Sequence, residues 1–225
     1  MKALLVEAWK AWNRHSGWMA WNLFLAFIPL ALSVWLFRRK THSRSILWWL
    51  GLIVFILFLP NAPYLLTDIK HLIGAIRGNY SIWVITLILI PQHLTVIFLG
   101  FQAYVISVIN LGYYLRQQGA GKFVLWAELI THGLCAVGVY LGRFKRFNSW
   151  DLLTQPDDLA MSVINDLTAK RPVLVMVVTF MVITVFYWVM KQVTLGVILR
   201  MNQKGLSSST YRKNLNTDQD TSTTP

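Results

Sequence analysis

The chain is short of charge, and shortest of acid. Lys, Arg, Asp and Glu make up 13% of its 225 residues, with only nine Asp and Glu among them. Ordinary soluble domains carry roughly 25% charged residues, so this composition argues against a surface that faces water throughout. Cysteine is nearly absent as well. Cys135 stands alone inside an apolar block, which excludes an intramolecular disulfide and leaves the redox compartment open. No HExxH, paired-cysteine or GxSxG pattern occurs, so the usual signatures of zinc proteases, thiolate metal sites and serine hydrolases are missing.

What is present is apolar and blocked out in long runs. Hydrophobic residues reach 56%, with eleven Trp, and the runs lack the amphipathic pattern of a soluble core. The expectation is an all-α, polytopic helical membrane protein with about five transmembrane helices and short interfacial amphipathic helices. The formal charge of +12 raises nucleic acid as a partner. The Lys and Arg, however, lie in short groups at the ends of apolar blocks, which suits anionic headgroups and topology control better. Membrane lipids, with a protein partner as a further option and no nucleic acid, are therefore the expected partners; no cofactor and no metal is expected.

Three regions follow. Residues 1–17 read as an amphipathic helix lying at the interface, with Lys2, Glu7, Lys10, Asn13 and Arg14 opposite Leu4, Leu5, Ala8, Trp9 and Trp12; the alternative is an extension of the first span. No signal peptide is expected ahead of it. Residues 18–199 form the helical transmembrane domain, and 200–225 a disordered polar tail. The first span, 18–37, places Asn22, Ala26, Pro29 and Ser33 on one face, which should look toward other helices. The second, 46–59, is short and can cross only if extended or if the bilayer thins. Pro60 and Pro63 are expected to stop it, with Thr67 or Asp68 capping a short helix toward Arg77. The block 81–110, interrupted by Pro91, Gln92 and His93, reads as one long kinked or tilted helix, with a re-entrant piece as the alternative. The fourth span, 123–141, carries a small-xxx-small pair in Gly138 and Gly142. A second interfacial helix is expected over 156–169, and the last span begins at Val173.

Five spans put 38–45, 110–122 and the tail on one side, and the amino-terminal helix, 60–80 and 142–172 on the other. Lys and Arg divide almost evenly between the sides. The tightest basic loop, 38–44, is assigned to the cytoplasm because the rule is strongest for short loops beside spans. Whatever the orientation, the polar stretches 60–71 and 142–151 emerge on one face and can build one site.

The candidate residues of that site are Asn61, Tyr64, Thr67, Asp68, His71, Arg143, Arg146, Asn148, Trp150 and Asp151. Arg143, Lys145 and Arg146 can hold a phosphate or pyrophosphate, since guanidinium offers a bidentate fork, and Asn61 and Tyr64 can add neutral hydrogen bonds. Asp68 and His71, three apart on a helix, can share a metal, or else Asp68 caps the helix and His71 sits among headgroups. Asp151 can pair with Arg143 or Arg146, or cap a helix together with Asn148; as pure structure the stretch is an interfacial turn anchored by Trp150. Asp68 and Asp151 are also the candidate catalytic carboxylates. Apart from these, Glu128 and His132 form a buried polar pair on one face of the fourth span, with Thr131 and Cys135. Glu128 lies about 21 Å along the helix from Gly142 at 1.5 Å per residue, too far to join the surface cluster. The pair can serve as a proton or ion step, or can bond to Asn22, Gln92 or Asn110 on neighbouring helices.

On these same residues the chain resembles a family of bacterial integral membrane proteins catalogued as domain of unknown function 1361. The matching pieces are Asn22-Leu23-Phe24-Leu25-Ala26, then Phe58-Leu59-Pro60-Asn61-Ala62-Pro63-Tyr64 with Thr67-Asp68, then Gly142-Arg143-Phe144 with Arg146, Asn148, Ser149, Trp150 and Asp151. Phe147 stands where the family usually has Trp. The resemblance covers roughly 21–190 and implies a multi-span helical fold in a bacterial inner membrane; it implies no reaction, substrate or catalytic residue. The leading functional expectation is a polar site at one face that binds an anionic lipid headgroup, an envelope precursor or a protein partner. A membrane enzyme acting on a lipid-linked or glycan substrate is the alternative, and a small transporter using Glu128 and His132 the second.

Overall fold

The computed structural model describes residues 2–39, 44–78, 80–145 and 170–221, together with 154, 157, 161 and 166. Among the described residues there is no strand, and five helical stretches are long and apolar enough to cross a membrane. By contact the chain divides into two units, residues 1–185 and 186–225. The second consists of the later part of the last helix, α8 (Lys170–Thr221), whose helical form reaches into the polar tail.

Helix α1 (Lys2–Phe37) runs unbroken for 36 residues, so 1–17 is continuous with the first span rather than a separate element. The reason is a stripe of small and aromatic side chains at spacings of three and four. It comprises Ala8, Ala11, His15, Trp18, Asn22, Ala26, Pro29, Ser33 and Phe37, and this periodicity keeps one face turned inward along the whole helix. Ala11, Ala26 and Ser33 along it are fully buried. Near its start, Ala8 and Ala11 pack on Leu72, Ala75, Val84, Ile85 and Leu89, and the Glu7 carboxylate accepts from the Ser81 amide at 2.6 Å.

Helix α2 (Ile46–Phe58) is capped by Ser45. It ends at Phe58, just before the two prolines, as expected, and further short helical turns follow. Pro60 and Pro63 occupy the cap and first turn of a one-turn helix, α3 (Asn61–Tyr64), where amides lack intrahelical partners anyway. A 3₁₀ turn (Leu65–Asp68) and α4 (Ile69–Ile76) complete the route. This extension supplies the length that 46–59 lacked: the whole stretch Ile46–Ile76 is 31 residues.

The 81–110 block is one path with no re-entrant piece. It runs through α5 (Ile82–Val84), a π turn (Ile85–Leu89) and α6 (Ile90–Gln117). The π turn directly precedes Pro91, whose missing amide perturbs the ladder at that point. Helix α6 is lined by buried residues from Gln92 to Gly112 and packs on both α1 and α7 (Val124–Tyr140). A second π turn (Leu141–Lys145) ends α7. Val137, Tyr140 and Leu141 there pack on Val175 and Met176 of α8.

The faces agree with the five-span topology. Arg38 Nε donates to Asn110 Oδ1 at 2.7 Å, and Arg44 donates to Gln118 Oε1 at 3.4 Å. Arg38 lies over the Tyr113 ring, and Arg44 over Trp48 and Tyr114. The ends of α1 and α6 and the start of α2 thus share one side.

Candidate functional site

Two close approaches bring the surface motifs together. A Cβ placed on Gly138 would lie 2.6 Å from Pro60 Cβ and 2.7 Å from its Cγ, and one on Gly100 would collide with Leu65. Glycine at these positions lets α7 and α6 touch the Pro60–Asp68 turn directly. Asn61 Nδ2 closes the end of α2 by donating to the Phe58 carbonyl at 3.0 Å.

Arg143, on the π turn after α7, reaches across to that turn. Its Nη2 donates to the Thr67 carbonyl at 3.1 Å, and its Nη1 to the Tyr64 hydroxyl at 3.3 Å. Nη1 also stands 3.4 Å from His71 Nε2. Asp68 Oδ1 lies 3.9 Å from Nη1. Thus Tyr64, Thr67, Asp68, His71 and Arg143 form one cluster, as the topology requires. Arg146, Asn148, Trp150 and Asp151 lie outside the described residues. Lys145, weighed with Arg143 as a phosphate holder, instead pairs with Asp166 at 3.1 Å.

Asp68 is not a helix cap. It occupies the N-cap position of α4 in αR conformation and makes no cap bond, while Thr67 Oγ1 turns back to the Tyr64 carbonyl. The 3₁₀ turn aims the Asp68 carboxyl inward, where it is 2% exposed and neither oxygen has a hydrogen-bond partner among the described residues. Asn22 of α1 faces it without closing a bond of ordinary geometry.

The inward side of this cluster holds residues that sequence reasoning did not select. Trp18 lies against His71 in a tilted arrangement with ring centres 4.7 Å apart and meets His93 at 6.2 Å; His15 lies 5.6 Å from His93. Gln92 donates to Ser16 at 2.9 Å. The signal was available: His15 and Trp18 continue the Asn22–Ser33 stripe, and Gln92-His93 interrupts an otherwise apolar block. Among the described residues no group of three or more His, Cys, Asp or Glu is placed to hold a metal ion.

Glu128 and His132 are buried, at 7% and 1% exposure. His132 Nδ1 meets the Tyr104 hydroxyl, and Glu128 lies beside Gly112 of α6. The neighbours expected for this pair have other engagements. Asn110 donates to Ser33 and accepts from Arg38, Gln92 bonds Ser16, and Asn22 faces Asp68.

Five spanning helices with a polar cluster at the ends of the second and fourth define a multi-pass helical membrane protein. The chain belongs to the family of proteins of unknown function DUF1361, which matches residues 21–185. No curated protein and no solved structure matches it.

Proposed function

We propose that this protein resides in a bacterial inner membrane and binds a lipid with an anionic phosphate headgroup at the face where α2 and α7 end. The observation that carries this reading is the state of Arg143. It is anchored by three neighbours, yet among the described residues the carboxylate paired with it, Asp68, stands off at 3.9 Å, so that pair leaves its charge positioned without close contact. A guanidinium has five N–H donors, and among the described residues the acceptors around Arg143 engage its Nη1 and Nη2. The remaining donors suit a phosphate in bidentate geometry. With the basic loop 38–44 in the cytoplasm, the site faces outward.

The test is native mass spectrometry of the purified protein. Wild type should retain a phosphate-headgroup lipid, and Arg143→Gln should weaken retention about 10- to 100-fold, the equivalent of a charge-assisted bond of roughly 1.5–3 kcal/mol. Wild-type protein that carries no specific lipid would overturn the proposal.

One observation favours a second reading, an enzyme acting on a lipid-linked or glycan substrate. Asp68 is a buried carboxylate beside that arginine with no hydrogen-bond partner among the described residues, the environment that tunes a general base. Chemical conversion of the retained lipid by wild type and not by Asp68→Asn would establish it; an unchanged lipid would dismiss it.

A further inference from the structure

Four buried acceptor atoms have no hydrogen-bond donor among the described residues and lie on the segments that pack around the Trp18–Asn22 stretch of α1. They are Asp68 Oδ1 and Oδ2, Gln92 Oε1 and His93 Nε2. The last is an acceptor because Nδ1 is committed to the Leu89 carbonyl at 2.8 Å, which leaves Nε2 of the neutral ring with only its lone pair. These atoms sit on the elements that meet around Trp18. His93 touches the Trp18 ring, Gln92 is its neighbour on α6, and Asp68 faces Asn22 one turn farther along α1.

Elsewhere this protein satisfies isolated polar groups locally. Ser16, Ser107, Thr184 and Thr194 each donate to the carbonyl four residues back, and His15 meets the one at Ala11. A concentration of orphaned acceptors therefore stands out against the general pattern, since burying each such group unpaired is costly.

We infer that the bound headgroup carries a primary ammonium beside its phosphate, with the ammonium entering among Asp68, Gln92 and His93 and the phosphate resting on Arg143. This inference builds on the phosphate reading above and names its ligand class, an aminoalkyl phosphodiester lipid. An ammonium brings three N–H donors and a positive charge to a place that offers acceptors and a buried carboxylate. The indole of Trp18 adds a face that attracts cations. The 3.9 Å between Asp68 and Arg143 puts the two opposite charges of the site side by side, as the ammonium and phosphate of such a headgroup are.

The experiment compares phosphatidylethanolamine with phosphatidylcholine, which keeps the phosphate and replaces every ammonium N–H by methyl. Full-length protein is titrated with each lipid in mixed micelles. Wild type should hold phosphatidylethanolamine about tenfold tighter or more, the worth of a charge-assisted hydrogen bond. Asp68→Asn should erase the preference between the two lipids, whereas Arg143→Gln should weaken both and keep it. Equal binding of the two lipids by wild type, still dependent on Arg143, overturns the ammonium site and leaves the phosphate reading standing. Failure to bind either lipid overturns both. A preference that survives in Asp68→Asn also overturns the inference, and if that variant does not fold, the wild-type comparison decides alone.

Discussion

Substituting Gly138 by alanine tests how the site is assembled. The added Cβ would stand 2.6 and 2.7 Å from two carbons of the Pro60 ring, about 1 Å inside ordinary carbon–carbon contact. A proline ring is fused to its own backbone and cannot rotate aside, so α7 must move outward by about that 1 Å. Arg143 follows on the same helical path. Its bonds of 3.1–3.4 Å to Thr67, Tyr64 and His71 would stretch past useful hydrogen-bond length. Overpacking of this kind costs about 1–3 kcal/mol, and for a chain of this length each kcal/mol lowers the melting temperature by roughly 2–4 °C. Cys135 supplies the assay. It is the sole thiol and is 1% exposed, so a thiol-reactive fluorophore should report unfolding as the protein is heated in detergent. Gly133→Ala on the same helix is the control, because its Cβ would meet nothing within 4 Å and alanine is favoured over glycine in a helix by about 1 kcal/mol. Gly138→Ala should melt earlier and lose lipid, and Gly133→Ala should do neither. If the two variants behave alike, Gly138 does not set the approach of α7 to the Pro60 turn.

Other consequences are independent of that contact. Cys135 should resist membrane-permeant thiol reagents in the folded protein, and rapid labelling at room temperature would contradict its burial. Asp68→Asn removes a buried carboxylate that has no hydrogen-bond partner among the described residues, so lipid-free protein should melt at the wild-type temperature or above it; a fall of several degrees would mean that Asp68 is structural. Tyr104→Phe deletes the hydroxyl that meets His132 in the interior and should cost about 1–3 kcal/mol, read from the same melting curve. An unchanged melt would show that the bond contributes nothing to stability. Arg38→Ala removes the bond to Asn110 and the stack on Tyr113 at the face opposite the site, so it should lower stability modestly and leave lipid retention unaltered; lost retention would show that the two faces are coupled.

Much of the fold was legible because the bilayer demands long apolar segments and leaves few alternatives to a helix. The five spans and the shared face of 60–71 and 142–145 follow from segment length and from counting crossings. Local breakers carry only part of the path. Pro60 and Pro63 do end α2 at Phe58, and a short helix toward Arg77 follows, but a proline in a first helical turn removes an amide that had no partner there, so the segment between them is helical as well. Pro91 was similarly ambiguous until the π turn before it showed where the disturbed ladder is absorbed. The basic and aromatic pattern of 1–17 drew attention to its polar side. The decisive feature lay on the other side, where Ala8 and Ala11 keep the register of Asn22 and Ser33.

The site was half legible for a related reason. Arg143, Tyr64, Thr67, Asp68 and His71 are concentrated in sequence, so composition alone marks them. Trp18, Gln92 and His93 are single polar or aromatic residues within apolar helices, and a single residue of that kind is usually satisfied by its own helix, as Ser107 and Thr184 are here. Only the crossing of α1, α4 and α6 separates the cases. His93 uses one ring nitrogen in this ordinary way and presents the other, unpartnered, to the same junction as the Asp68 carboxyl. The distinction between a satisfied core histidine and a ligand-facing one therefore rests on its second nitrogen. No periodicity in a single sequence encodes that, because it depends on which neighbours three separate helices bring to one point.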